Sequence, residues 1–163
     1  MPGPPQAEAY AVVVAREQGM WQVDVLPEAL TDDLDALVAA VRRQAEEDGA
    51  FALVDVADEF FVVVRVQHGR VRLLLSDVTA SAEWDLATQV VDHLGVEIPR
   101  DDALQRVVPV GDLGVFDDLG VDGTELAALL SDVDAYDDEL LEALALRLGF
   151  ASAYERVVDA LVQ

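Results

Sequence analysis

Apolar and polar positions along this chain change period several times, and each change marks an element. Tyr10 to Arg16 is apolar on both faces of a strand. Met20 to Leu26 alternates, with Trp21, Val23 and Val25 on one side, and Gln18-Gly19 supplies the turn between the two. From Thr31 to Asp48 the period becomes helical. Leu34, Leu37, Val38 and Val41 share a face, Asp32, Asp33 and Asp35 crowd the first turn, where the dipole favours acids, and Gly49 marks the end. Phe51–Val56, Phe60–Val66 and Val71–Ser76 then read as strands. The tight connections at Ala57-Asp58 and His68-Gly69 make both pairs antiparallel hairpins. A second helix is expected from about Thr79 to Leu94, with Trp84, Ala87, Val91 and Leu94 in one stripe, Leu86 and Val90 beside it, and Gly95 closing it.

Between Val96 and Val121 no helical period survives. Pro99, Pro109, Gly111, Gly114 and Gly120 punctuate the segment, yet Val107, Val108, Val110, Leu113, Val115 and Phe116 require a surface to pack on. The last 42 residues read as three short helices. Asp122-x-x-Glu125 and Ser152-x-x-Glu155 are capping-box patterns, Leu140, Leu144 and Leu148 repeat every four residues, and Tyr154, Val157, Val158 and Leu161 form a final stripe. The expected fold is therefore α+β, in the order β-β-α-β-β-β-α. It has one five-stranded antiparallel sheet over residues 9–96, a docked connection over 97–121 and a small helical C-terminal subdomain over 122–163. Residues 1–8 read as a disordered Pro-rich leader. The element order resembles the profilin-like layouts of longin and roadblock domains, which implies an adaptor or dimerisation platform.

The strand at Phe60–Val66 is apolar on both faces, with Phe60, Val62, Val64 and Val66 on one and Phe61 and Val63 on the other. Two helices cover one face of the sheet. Either the C-terminal helices or a second copy, in a homodimer, must cover the other. The leucine stripes favour the C-terminal helices.

Charge changes this picture most. Thirty-three acids oppose ten arginines, for a formal net charge of −23, and there is no Lys, Asn or Cys. Acids are spread evenly through both halves of the chain. Such a field repels nucleic acid phosphates and anionic membranes, so neither is an expected partner. The plainer reading is a solvated, highly soluble surface, and the sharper one is an acidic patch that docks a basic protein partner. With 53% hydrophobic residues a real core is available, so the acidity does not signal disorder. The residue usage also fits a GC-rich genome. Met-Pro-Gly-Pro-Pro carries neither the basic nor the apolar region of a secretory signal, and the longest apolar run cannot span a bilayer. A cytoplasmic location is the expectation.

Candidate chemistry is sparse. His68 falls in a polar turn and His93 near a helix end, with no carboxylate at ligand spacing. None of Ser76, Ser81, Ser131 and Ser152 lies in a nucleophile elbow, and Ser81 and Ser152 read as helix caps. The run Asp132, Asp134, Asp137, Asp138, Glu139 fails as a calcium loop. Counted from Asp132, the sixth position is Asp137 where Gly is needed, and the twelfth is Ala143 where a bidentate Glu is needed. Its acids read as a helix start. Gly111-Asp-Leu-Gly114 is no phosphate loop, because Lys is absent and Asp112, Asp117 and Asp118 repel an anion. Arg65, Arg70 and Arg72 are expected in cross-strand ion pairs. No catalytic, cofactor or metal residue is assigned. The most distinctive local feature is Ser76, Asp77, Trp84 and Asp85, taken as a candidate partner surface; its plainer reading is a core Trp with a capping Asp.

Leu-Leu-Leu-Ser-Asp (73–77), Glu-Trp-Asp-Leu-Ala (83–87), Pro-Val-Gly-Asp-Leu (109–113), Asp-Leu-Gly (118–120), Tyr-Asp-Asp-Glu-Leu-Leu (136–141) and Leu-Gly-Phe (148–150) together resemble the tRNA adenosine deaminase-associated protein family of high-GC Gram-positive bacteria. That resemblance implies a deaminase as partner and supplies no catalytic or ligand residues. The chain is not the deaminase, whose zinc needs H-x-E and P-C-x-x-C. The sequence thus points to a non-catalytic acidic adaptor. The alternatives are an enzyme using carboxylates with a divalent metal, and an inhibitor that mimics nucleic acid.

Overall fold

The computed structural model describes residues 9–44, 50–57, 59–95, 109–132 and 135–161. The expected leader, Gly49, Asp58, Asp134 and residues 97–108 of the connection lie outside them.

Six strands, each antiparallel to its neighbours, make one sheet in the order β2-β1-β3-β4-β5-β6. They are β1 Tyr10–Glu17, β2 Met20–Leu26, β3 Ala50–Val56, β4 Phe60–Gln67, β5 Arg70–Leu75 and β6 Val110–Gly111. The β4–β5 hairpin turns on His68 and Gly69, both at positive φ (52° and 78°), as a two-residue type I′ turn requires. The sixth strand corrects the expectation of five. It pairs Val110 with Leu75 and Gly111 with Leu74. Gly111 makes that approach feasible, because its φ is 114° and a Cβ there would collide with the Leu73 carbonyl oxygen. Two residues carry no periodicity, so the pattern of apolar positions is blind to this strand.

Strand alternation divides the core in two. Ala52, Val54, Phe60, Val62, Val64, Leu73 and Leu75 face helices α1 (Leu34–Gln44) and α2 (Asp85–Leu94), with Leu37, Val41, Leu86, Ala87, Val90 and Val91 packed on them. Val12, Val14, Phe51, Leu53, Phe61, Val63 and Leu74 face the other way. There Val115, Phe116 and Val121 join helices α3 (Gly123–Leu130), α4 (Asp137–Leu148) and α5 (Ala151–Leu161) to bury them. The C-terminal helices are thus the cover for the second face. Its centre is aromatic: Phe51 lies 5.0 Å from Phe116, 5.8 Å from Phe150 and 6.3 Å from Trp21 between ring centroids. At one margin the Tyr10 and Tyr154 hydroxyls are 2.7 Å apart, and burial pushes the Tyr154 phenol well above its ordinary value.

Both long helices start later than the periodicity suggests. A 3₁₀ turn, Glu28–Asp32, precedes α1, and the extended Asp33 separates them while its carboxylate accepts from the Ala36 N–H. Another 3₁₀ turn, Val78–Ala82, precedes α2; Asp77 caps it, and Trp84, in extended conformation, is the α2 N-cap. The α2 burial stripe therefore centres on Leu86, Ala87, Val90 and Val91, with Trp84 and Leu94 half-buried at its edges. Ser81 and Ser152 are not helix caps. The Ser81 hydroxyl donates to the Val78 carbonyl inside the 3₁₀ turn, and Ser152 lies within α5. Asp122 does cap α3, accepting from the Glu125 N–H at 2.8 Å. No helix among the described residues is long and apolar enough to cross a membrane.

Candidate partner-docking cleft

The arginines are the first test of where charge goes. Arg65 on β4 and Arg72 on β5 are directly opposed in the ladder, a like-charge pair that is unfavourable alone. Cross-strand ion pairs were expected for these two and for Arg70. The carboxylates that Arg65 and Arg72 hold lie instead in the turn after β6, and Arg70 is exposed and joins no ion pair among the described residues. Arg65, 1% exposed, holds both Asp118 carboxylate oxygens (2.6 and 2.9 Å) and the Val115 carbonyl (2.6 Å). Arg72 donates to Asp112 (2.6 Å) and to the Gly114 carbonyl (2.7 Å). The guanidiniums hold the Asp118 and Asp112 carboxyls below the usual aspartate range. This arrangement fastens the 112–118 turn over the second face, and its cations are used structurally.

That pairing has a pH signature. Because the folded Asp118 pKa is depressed below 3.8, its contribution is complete above that value and is lost as pH falls through the folded value. Asp118→Asn is expected to cost about 1–2 kcal/mol at neutral pH, reduced from the full charged-pair range because the Asp118 side chain is partly exposed. Urea unfolding of both proteins should show the difference shrinking below about pH 4. An unchanged difference at acid pH would contradict the assignment.

Acidic side chains that form no ion pair among the described residues gather at one end of the sheet. The 3₁₀ turn Glu28–Asp32, the β3–β4 connection and the corner leading into α2 enclose a cleft of about 480 Å³. Phe60, Val56, Leu86, Ala29 and Ala57 give it apolar walls, Trp84 forms one side, and Glu28, Asp32, Glu83 and Asp85 stand at its exposed margin. Among the described residues no basic side chain lines it. Trp84 packs 5.9 Å from Phe60 between ring centroids. Beyond Trp84 and Glu83 lies a groove of about 220 Å³, edged by Glu59, Asp77 and Thr79. Trp84 and Glu83 are thus shared by two adjacent acidic depressions.

The walls are tied together by polar side chains. Gln89 of α2 accepts from the Leu34 N–H and donates to the Asp32 carbonyl, each at 2.8 Å, so it locks the start of α1 to α2. The Thr88 hydroxyl reaches the Ser81 and Trp84 carbonyls at 2.8 and 3.1 Å, and Asp77 accepts from both the Thr79 N–H and its hydroxyl. These bonds fix the cleft's walls within the chain itself.

Of the four residues singled out in the sequence, Asp77, Trp84 and Asp85 line these depressions. Ser76 does not reach the surface. It is 4% exposed and accepts from the Phe61 N–H at 2.8 Å, extending the strand ladder. Sequence reasoning missed Glu28, Asp32, Phe60, Glu83 and Gln89, which come from separate segments. Only a three-dimensional juxtaposition reveals them. His68 and His93 are exposed in different elements. Among the described residues no group of three or more His, Asp or Glu side chains is placed to hold a metal. At the acidic run, Glu139 accepts from the Tyr136 N–H at 3.0 Å and Asp138 from the Glu139 N–H at 2.9 Å, so these acids serve the α4 start.

A family model described as Rv3753c-like tRNA adenosine deaminase-associated protein matches residues 9–151. The chain belongs to this family. It is 40% identical to Protein Rv3753c of Mycobacterium tuberculosis (strain ATCC 25618 / H37Rv) over 157 residues, covering 94% of this chain and 90% of that protein. No solved structure matches the chain. The match takes in every sheet strand, the cleft, the 112–118 turn and α3–α4. The family description connects these proteins with a tRNA adenosine deaminase.

Proposed function

We propose that this protein is a non-catalytic adaptor that binds a tRNA adenosine deaminase through its acidic cleft. The observation that carries this reading is the cleft itself: apolar walls, a half-buried Trp84 and four carboxylates, with no basic side chain lining it among the described residues. An enzyme that handles tRNA must present basic surface to phosphates, and a protein of net charge −23 is complementary to such a surface. The same charge disfavours holding tRNA directly. Arg65 and Arg72 near the sheet edge are committed to Asp118 and Asp112. The proposed role is to cover or orient the deaminase's basic surface before or between encounters with tRNA. Affinity purification of the tagged chain from its host is expected to bring down the deaminase in near-equal amount. Recovery of the chain without the deaminase would refute the reading.

A further inference from the structure

We propose that the cleft beside Trp84 receives an arginine side chain from an extended, basic segment of a protein partner. This rests on the adaptor reading for the partner's identity, though the cleft's chemistry is argued independently of it. Three features select the occupant. Over a floor of buried Phe60, Val56 and Leu86, the cleft keeps apolar surface open at Ala29, Ala57 and Trp84, which suits a ligand with an aliphatic stem better than a purely polar one. The carboxylates of Glu28, Asp32, Glu83 and Asp85 ring the opening, so the ligand is cationic. Trp84 offers an aromatic surface to both depressions, and a planar guanidinium stacks on indole while its remaining N–H groups reach carboxylates. An ammonium does this less well.

Two adjacent depressions that share Trp84 and Glu83 also favour an extended chain occupying both over a compact ligand. A second copy of this protein would bring its own net charge of −23 to the same place, and nucleic acid would bring phosphates. Gln89 and Thr88 already fix the walls, so little ordering is needed on binding.

The test uses the whole 163-residue chain carrying Trp21→Phe, which leaves Trp84 as its one indole. The probe is a capped hexapeptide alternating Arg and Leu, titrated while Trp84 fluorescence is followed. A saturable change is expected, weakened about tenfold or more by Glu28→Gln with Glu83→Gln, and weakened severalfold when Lys replaces Arg in the peptide. Both substituted acids are exposed, so folding is expected to survive. A control pair, Glu155→Gln with Asp159→Asn, removes equal charge from α5 on the other side of the sheet and is expected to leave binding unchanged. Absence of saturable binding, equal weakening by both pairs, or dimerisation that buries Trp84 without peptide would overturn the assignment. Failure of the adaptor reading looks different: the hexapeptide binds at Trp84 while the deaminase does not bind the chain.

Discussion

Truncation after Gly95 is expected to yield a protein that is insoluble or newly oligomeric. The sheet would keep α1 and α2 on one face, but lose every side chain that covers the other. Val12, Val14, Phe51, Leu53, Phe61, Val63 and Leu74, all buried in the whole chain, would face water together. A contiguous apolar surface of that kind is rare on a soluble monomer, and it would pair with any similar surface available. Arg65 and Arg72 would also lose Asp118 and Asp112, leaving two opposed cations on that face. Light scattering of the truncated chain is the check. A folded monomer with native-like solubility would show that residues 96–163 form an independent module and that the shared core has been misassigned.

The second large effect is expected at Phe51, where Phe51→Ala should destabilise the fold by about 3–5 kcal/mol. Phe51 is 2% exposed and touches aromatic rings from three other parts of the chain: Trp21 on β2, Phe116 in the turn after β6 and Phe150 between α4 and α5. Trp21 and Phe150 also contact each other, with centroids 5.4 Å apart. Removing the central ring leaves a void walled by rigid groups that cannot all collapse into it, which places the cost high in the usual range. Equilibrium denaturation gives the value directly. A loss below about 1 kcal/mol would mean that the cluster relaxes freely and is not the keystone of the second core.

Local patterns were legible where local physics decides the outcome. His68-Gly69 and Gln18-Gly19 specify two-residue turns because both positions in each adopt positive φ, and alternation through Phe60–Val66 assigns each side chain to the correct face. The leucine stripes of the last helices correctly called for a partner surface. What escaped were features set by distant pairs. Arg65 finds Asp118 across 53 positions, and no local spacing distinguishes that acid from its neighbours Asp112 and Asp117. The helix starts were misplaced because Asp33 and Trp84 adopt extended backbone where side-chain periodicity alone would continue the helix. Within the candidate site, Trp84 stood out by rarity. Glu28, Asp32 and Glu83 are three acids among thirty-three, and only folding makes them a set.

The most direct test of the adaptor account is a calorimetric titration of this chain into the purified tRNA adenosine deaminase of the same organism. It should be run at about 50 mM and about 500 mM salt, which shortens the screening length severalfold. The account expects a saturable complex at low salt whose affinity falls steeply at high salt and is reduced by Glu28→Gln with Glu83→Gln. No binding at low salt, or an affinity indifferent to salt, would contradict it.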